Sequence, residues 1–154
     1  MIPLDRGRLL GIDHGTKVIG LAVCDATWIA ARPFGLITRR SRESDFARIA
    51  AIIAEQRVAA IVLGMPETPP DFKGISQAST VRRWAKRLGS AVRLPVYPWD
   101  ESLSTFEAES IAAELGQRVR GRIDDRAAAV ILQSFIDAHP PGTPLPEPLN
   151  QQGD

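Results

Sequence analysis

Three acidic residues lie at positions from which their carboxylates could bind divalent metal together. Asp13 ends one apolar segment, Glu101 follows another, and Asp124 opens an amphipathic segment. Mg²⁺ prefers oxygen ligands and usually takes a few carboxylates together with water and substrate phosphate. Two such ions about 4 Å apart can activate a water molecule and stabilise the leaving oxygen in phosphodiester cleavage. The three acids therefore indicate metal-assisted chemistry on a phosphate ester, with Asp100 as a reserve for Glu101.

Each of these acids also has a purely structural interpretation. Asp124 could be only the N-cap of a helix, since Asp is favoured at that position. Asp13 precedes His14 and Gly15 and could simply form a turn. Glu101 could be a solvated acid that follows a strand. Taken one at a time, the acids leave both interpretations open.

The first half of the chain shows a change of hydrophobic period. Residues 8–13 and 18–24 are apolar runs joined by a short link, which predicts a β-hairpin. Residues 34–38 could form a third strand. Apolar residues then recur at helical spacing, which predicts a helix over about residues 41–57.

The second half alternates between strands and helices. Short apolar runs predict strands at 59–63 and 95–99, and helical spacing marks a helix around residues 81–88. A capping-box pattern predicts a helix over 104–115, and a wide apolar stripe predicts a last helix over 124–138. We therefore predict an α/β fold with a mixed sheet, in which three antiparallel strands are followed by parallel strands, flanked by helices.

Such a sheet would bring the candidate acids to one edge. Ligands of mixed α/β sheets bind beyond the carboxyl ends of the strands, and Asp13 and Glu101 both follow predicted strands. We expect residues 1–138 to form one domain. The proline-rich segment 139–154 lacks apolar periodicity, so we expect a disordered tail that folding does not require.

Composition excludes several classes of protein. Cys24 is the only cysteine, which rules out an intramolecular disulfide and zinc sites built from several cysteines. It lies in an apolar run and is expected to be buried. No apolar stretch approaches the roughly 18 residues of a membrane span, and the first residues lack a signal-peptide core. We therefore expect a cytoplasmic protein with no membrane partner.

The distribution of charge is more informative than its sum, because the net charge is only +1. Eleven of the 19 basic residues fall into three clusters, which can either neutralise phosphates or form ordinary solvated helix faces. The clusters are Arg39, Arg40 and Arg42; Arg82, Arg83, Lys86 and Arg87; and Arg118, Arg120, Arg122 and Arg126.

Four motifs in sequence order resemble those of the YqgF/RuvX family of pre-16S rRNA nucleases and Holliday junction resolvases. They are residues 11–20 (GIDHGTKVIG), residues 64–66 (GMP) followed by Gly74, residues 100–108 (DESLSTFEA) and residues 124–133 (DDRAAAVILQ). The resemblance implies a ribonuclease H-like fold and a nuclease that uses Mg²⁺ or Mn²⁺. It also implies that Asp13, Glu101 and Asp124 are both the catalytic residues and the metal ligands.

The same resemblance implies that the partner is nucleic acid, with RNA favoured over DNA and a ribosomal RNA precursor as the expected substrate. Thr16, Lys17, Arg122 and Arg126 flank the candidate acids in sequence and are the predicted phosphate contacts. Ser102 stands where the family usually has Arg, and Arg122 or Arg126 could bind a phosphate in place of that Arg. Residues 67–73 also depart from the family pattern.

Three alternatives remain at the level of sequence. A Holliday junction resolvase would use the same metals on a four-way DNA junction. A non-catalytic RNA- or ribosome-binding module would keep the fold without the activity. The Asp-x-Gly-Thr pattern of residues 13–16 also resembles the phosphate loop of sugar kinases and actin-like ATPases. Those proteins need two such domains around one nucleotide, whereas we expect only one domain in these 154 residues.

Overall fold

The structure, a computed structural model, describes residues 5–66, 74, 76–100 and 123–152, and for residues 123–125 only the backbone. Its strands are β1 (Arg8–His14), β2 (Val18–Cys24), β3 (Ala31–Thr38), β4 (Val58–Met65) and β5 (Val96–Asp100). Its helices are α1 (Arg42–Gln56), α2 (Gln77–Val92) and α3 (Ile123–Ala138), followed by a short 3-10 helix at Leu149–Gln151. The helix predicted over residues 104–115 lies outside the described residues.

The strands form one five-stranded sheet in the order β3-β2-β1-β4-β5. β1 pairs antiparallel with β2, and β2 with β3, whereas β1–β4 and β4–β5 are parallel pairs. This arrangement confirms the predicted mixed sheet. β1 lies at its centre, so the acid at the end of β1 is flanked by strands on both sides.

Two hydrophobic cores cover the two faces of the sheet. Leu10 and Ile12 pack on one face against residues of α1 and α2, and we call this the α1–α2 core. The side chain of Leu9 points to the other face of the sheet and packs against α3 in what we call the α3 core. Gly11 also faces α3, because a Cβ there would lie 2.9 Å from the Cβ of Leu132. Glycine at this position therefore allows close packing of α3 on β1.

Side chains at the helix termini explain where α1 and α2 begin. The hydroxyl of Ser41 accepts a hydrogen bond from the N–H of Ser44 at 3.1 Å, and Ser76 accepts one from Ser79 at 2.9 Å. Such N-caps satisfy backbone donors that the first helical turn leaves free. The predicted burial of Cys24 is confirmed, since it is 4% exposed, and Trp84 of α2 is also buried at 6%.

The tail differs from the disordered segment that its composition predicts. Leu149 is fully buried in the α1–α2 core. The side chain of Asn150 donates to the carbonyl of Leu94 at 3.0 Å and accepts from the N–H of Val96 at 3.2 Å. Arg82 donates to the side-chain oxygen of Gln152 at 2.9 Å. The proline-rich composition did not predict this docking, because one buried leucine and one bridging amide are enough to hold the segment against the edge strand β5.

Within the described ranges, no helix combines the length and the apolar character needed to cross a membrane.

Candidate active site at the carboxyl end of β1

Asp13 lies at the carboxyl end of the central strand, where it pairs with Gly20 of β2. Side chains alternate between the two faces along a strand. Asp13 shares its parity with Leu9 and Gly11, so it faces α3. The carboxylate therefore projects from the edge of the sheet at which ligands of such folds bind.

The direction of α3 brings its first turn to the same end of the sheet. The guanidinium of Arg6, just before β1, donates to the carbonyl of His139, just after α3, at 2.9 Å. Midway along β1, Gly11 lies against Ala128 and Leu132. α3 therefore runs opposite to β1. With a rise of 1.5 Å per residue, the backbone of Asp124 lies about 6 Å beyond Ala128, toward the Asp13 end.

Two of the three predicted metal ligands cannot be placed in full. Glu101 lies outside the described residues, and for Asp124 only the backbone is described. Among the residues that are described, no group of three His, Cys, Asp or Glu side chains is arranged to hold a metal ion. Convergence of the three carboxylates therefore stays a prediction, supported by the position of Asp13 and by the course of α3.

Asp100 lies at the same end of the sheet but on the other face. It shares its parity in β5 with Val96, which is buried in the α1–α2 core, whereas Tyr97 and Trp99 pack against the α3 core. It also lines a cavity of about 460 Å³ together with Ala78 and Arg82 of α2. This position argues against Asp100 as a substitute for Glu101 beside Asp13.

The turn between β1 and β2 is built around Gly15. Its N–H donates to the carbonyl of Val18 at 3.0 Å, and a Cβ at Gly15 would overlap that same carbonyl oxygen. The Gly15 N–H is therefore engaged within the turn and does not point to a phosphate. Thr16 and Lys17 are exposed at the tip of the turn, so their side chains can reach a substrate beside Asp13.

Arg39 holds this turn against α1. Its guanidinium donates to the carbonyls of Gly15 at 3.0 Å and Thr16 at 3.4 Å. Its Nε lies 4.0 Å from the carboxylate of Asp45, which is only 1% exposed. The Asp45 carboxylate also accepts a hydrogen bond from the N–H of Arg40 at 3.1 Å. Arg39 thus fixes the segment that follows Asp13, although the sequence placed it only in a basic cluster.

A signal for this pair was present in the sequence. Asp45 precedes Ile49 by one helical turn and therefore lies on the apolar stripe of α1. A charged residue on a buried stripe requires a partner, since an unpaired buried charge is costly. The partner itself, Arg39, could not be read from the pattern, because its contact depends on how the turn folds over α1.

His14 has a structural position on the face opposite to Asp13. Its ring packs 4.5 Å from that of Trp84, between ring centroids, at an angle of 60°. Burial, assisted by the positive charge of Arg39, lowers the pKa of His14 from 6.5 to about 4. The imidazole is therefore neutral near pH 7 and directed away from the α3 face. This position makes His14 a packing residue and not a ligand of the site.

Arg126 lies two residues after Asp124 in α3 and carries an unused donor. Its Nη1 is buried and has no hydrogen-bond partner among the residues that the structure describes. A buried polar group without a partner costs free energy, about 1–3 kcal/mol. This cost is consistent with the predicted phosphate contact of Arg126. The other predicted contact on this segment, Arg122, lies outside the described residues.

Sequence relatives cover most of the chain. The profile of the RuvX family, described as "Holliday junction resolvase", matches residues 7–138. A relative from Anaeromyxobacter sp. (strain Fw109-5), named "Putative pre-16S rRNA nuclease", is 44% identical over 133 residues, which are 84% of this chain and 96% of the relative. A relative of the same name from Syntrophus aciditrophicus (strain SB) is 40% identical over 134 residues, covering 85% of this chain and 89% of its own length.

Solved structures share the fold at low sequence identity. RuvC of T. thermophilus in complex with a Holliday junction substrate superposes with a TM-score of 0.56 at 17% identity, covering 86% of this chain and 94% of that one. The fowlpox virus resolvase in complex with Holliday junction DNA superposes with a TM-score of 0.52 at 10% identity, covering 85% of this chain and 97% of that one. These matches confirm the ribonuclease H-like fold. Together with the profile match and the relatives at 40% identity or more, they show that the chain belongs to the RuvX family.

Proposed function

We propose that this protein is a divalent-metal-dependent nuclease that hydrolyses phosphodiester bonds during maturation of the 5′ end of pre-16S rRNA in the cytoplasm. The observation that carries the proposal is the position of Asp13. It is the penultimate residue of the central strand of a ribonuclease H-like sheet and faces the helix whose first turn contains Asp124. The names of the relatives from Anaeromyxobacter and Syntrophus support the RNA substrate.

The donor set fits a hard metal ion. Asp13 offers carboxylate oxygens, while His14 points to the other face and Cys24 lies at the opposite end of β2. Oxygen ligands without sulfur or imidazole favour Mg²⁺ or Mn²⁺ over zinc. Asp13, Glu101 and Asp124 would hold the metal. When bound, such ions supply Lewis-acid activation of the attacking water and neutralise charge at the leaving oxygen.

The other residues of the chain would bind and orient the substrate. Thr16 and Lys17 are exposed at the turn that follows Asp13, where a hydroxyl and an ammonium can contact a phosphate. Arg126, with Arg122, would supply positive charge from the α3 side. The guanidinium of Arg39 keeps the turn in place by donating to the carbonyl of Gly15, and it therefore positions Lys17 without itself contacting the substrate.

A junction resolvase is the second candidate, because the RuvX profile carries that description and the fold matches RuvC and the fowlpox virus enzyme. The two functions share their chemistry and differ in the nucleic acid that is bound. A non-catalytic RNA- or ribosome-binding module would bind the same RNA without cleaving it.

A comparison of substrates separates these candidates. The protein would be incubated with a labelled RNA that spans the 5′ end of 16S rRNA and its leader, and in parallel with a four-way DNA junction, in Mg²⁺ or Mn²⁺. We expect cleavage of the RNA at the mature 5′ end and much slower cleavage of the junction. Symmetric cleavage of the junction with intact RNA would favour the resolvase. Binding of the RNA without cleavage in either metal would favour the non-catalytic module.

A further inference from the structure

Helix α2 is rich in basic side chains. Over Gln77–Val92 it contains four basic residues and no acidic ones, namely Arg82, Arg83, Lys86 and Arg87. Arg82 and Lys86, like Arg83 and Arg87, are four residues apart, and like charges at that spacing destabilise a helix. The exposed pair Arg83 and Arg87 thus has a like-charge spacing that folding alone does not favour, and this spacing points to an anionic partner.

Part of this charge lines a shallow, open cleft between α1 and α2. Arg42, at the start of α1, faces Lys86, Arg87 and Ser90 of α2 across a concave space of about 410 Å³. Arg42, Arg87 and Ser90 are exposed, while the buried face of α2 is formed by other residues such as Trp84 and Leu88. We call the four residues that line this space the basic cleft.

Two arginines of the basic cleft are available to a ligand. Among the residues that the structure describes, the ion pair within 4.0 Å joins Arg39 and Asp45. Arg42 and Arg87 make no ion pair or side-chain hydrogen bond there. Glu43 is adjacent to Arg42 in the sequence, but neighbouring positions on a helix do not face each other. Both guanidinium groups can therefore bind an anion in the fork geometry that suits phosphate.

The basic cleft lies close to the candidate active edge of the sheet. Trp84 of α2 packs against His14, the residue that follows Asp13. Lys86 and Arg87 lie within one helical turn of Trp84, which is about 5 Å along the helix axis. α1 also begins at this end of the sheet, because Thr38, the last residue of β3, pairs with Val18 beside the hairpin turn.

We propose that the basic cleft binds backbone phosphates of the nucleic-acid strand that extends away from the cleavage site. This inference rests on the proposed nuclease function and adds a second contact surface on the face opposite to Asp13. The phosphodiester backbone of a nucleic acid fits better than a protein partner, because the residues lining the cleft are all polar, whereas the cores of protein interfaces are more apolar.

The test measures binding without cleavage. The affinity of the full protein for the precursor RNA and for the four-way DNA junction would be determined in EDTA over a range of salt concentrations. The variant Arg42→Gln/Arg87→Gln would be compared with Arg57→Gln/Arg93→Gln. The control removes two exposed arginines that do not line the basic cleft, namely the residues that follow the last turns of α1 and α2. Thermal melts would verify that both variants remain folded.

We expect the cleft variant to bind more weakly and with a smaller salt dependence than the parent. Removing one phosphate contact to a single strand lowers the slope of log affinity against log salt by about 0.7, so removing two lowers it by about 1.4. The control should keep the parent slope. A reduced slope with RNA or with the junction supports the cleft, and the arm that shows it identifies the nucleic acid.

Equal slopes for the parent and the cleft variant would overturn the basic cleft, and so would a parent that binds neither nucleic acid. The proposed function is judged separately by cleavage. A parent that cleaves RNA while the slopes are equal supports the proposed function and contradicts the cleft. A reduced slope in a protein that cleaves neither substrate supports the cleft and contradicts the nuclease.

Discussion

Replacing Leu149 with Ala should destabilise the whole domain, although the residue lies close to the chain end. Leu149 is fully buried and belongs to the same core as Leu10 and Ile12 of the central strand. The neighbouring Asn150 bonds to both Leu94 and Val96 at the edge strand β5. The tail therefore contributes to the core as an additional packing layer, and a cavity left by the substitution would open beneath α2.

The magnitude follows from the hydrocarbon removed. Leu→Ala takes away three carbon groups, and each buried group contributes about 0.8 kcal/mol, or about 2.4 kcal/mol in total. Incomplete relaxation around the cavity adds to this loss. A tail segment can adjust more readily than a central helix, so we expect a loss of about 2–3 kcal/mol. In a domain of this size, that corresponds to a fall in Tm of about 4–12 °C.

The assay is thermal and urea unfolding followed by far-UV circular dichroism. Leu145→Ala is the matched control, because Leu145 lies in the same segment but is 40% exposed, and it should change the unfolding free energy by less than about 0.5 kcal/mol. Truncation after Ala138 should cost at least as much as Leu149→Ala. If Leu149→Ala and the truncation both melt like the parent, the docked tail is not a feature of the protein in solution.

Three further outcomes follow from the site. Asp45→Ala should lower the unfolding free energy by about 1–3 kcal/mol, because it removes the carboxylate that pairs with Arg39 and accepts from the Arg40 N–H. Glu43→Ala, at an exposed position in the same helical turn, should leave the unfolding free energy nearly unchanged. Equal melting temperatures for the two variants would refute the pairing. Without metal, stability should fall as the pH drops from 6.5 to about 4, because unfolded His14 takes up a proton that the folded protein, with its lowered pKa, resists. Urea titrations should show a shallower fall of the unfolding free energy with pH for His14→Phe than for the parent. Identical pH profiles for the two proteins would contradict the lowered pKa of His14. Arg39 and Asp45 are the charged groups that influence this imidazole. Asp13→Asn should be at least as stable as the parent in EDTA, because the substitution relieves repulsion among the acids. Its Tm should rise less than that of the parent when Mg²⁺ or Mn²⁺ is added. Strong destabilisation in EDTA would instead show that Asp13 is a structural turn residue.

Much of the fold could be predicted from the sequence because the signals are local. The apolar runs of β1 and β2, joined by a short link, indicated the hairpin that the structure contains. The helical spacing after Ser41 indicated α1, whose N-cap is Ser41 itself. Each of these features depends on residues within a few positions of one another, so period and capping chemistry are sufficient.

Features that depend on contacts distant in sequence could not be predicted in this way. Asn150 meets Leu94 and Val96 across more than fifty positions, and proline content gave no sign of that contact. The choice between Asp100 and Glu101 depended on the strand register of β5, which places Asp100 with Val96 on the α1–α2 face. The role of Arg39 required the folded hairpin turn, because its acceptors are backbone carbonyls.

The most direct test of the nuclease is the rate at which the parent and Asp13→Asn cleave the precursor RNA under single-turnover conditions, in Mn²⁺ or Mg²⁺ and in EDTA. Asp137→Asn, an exposed acid at the other end of α3, is the control. We predict metal-dependent cleavage by the parent and the control, and a rate at least about 100-fold lower for Asp13→Asn, equivalent to roughly 3 kcal/mol of transition-state stabilisation. Cleavage by Asp13→Asn within about twofold of the parent rate, or a parent rate that EDTA leaves unchanged, would contradict a metal site built on Asp13.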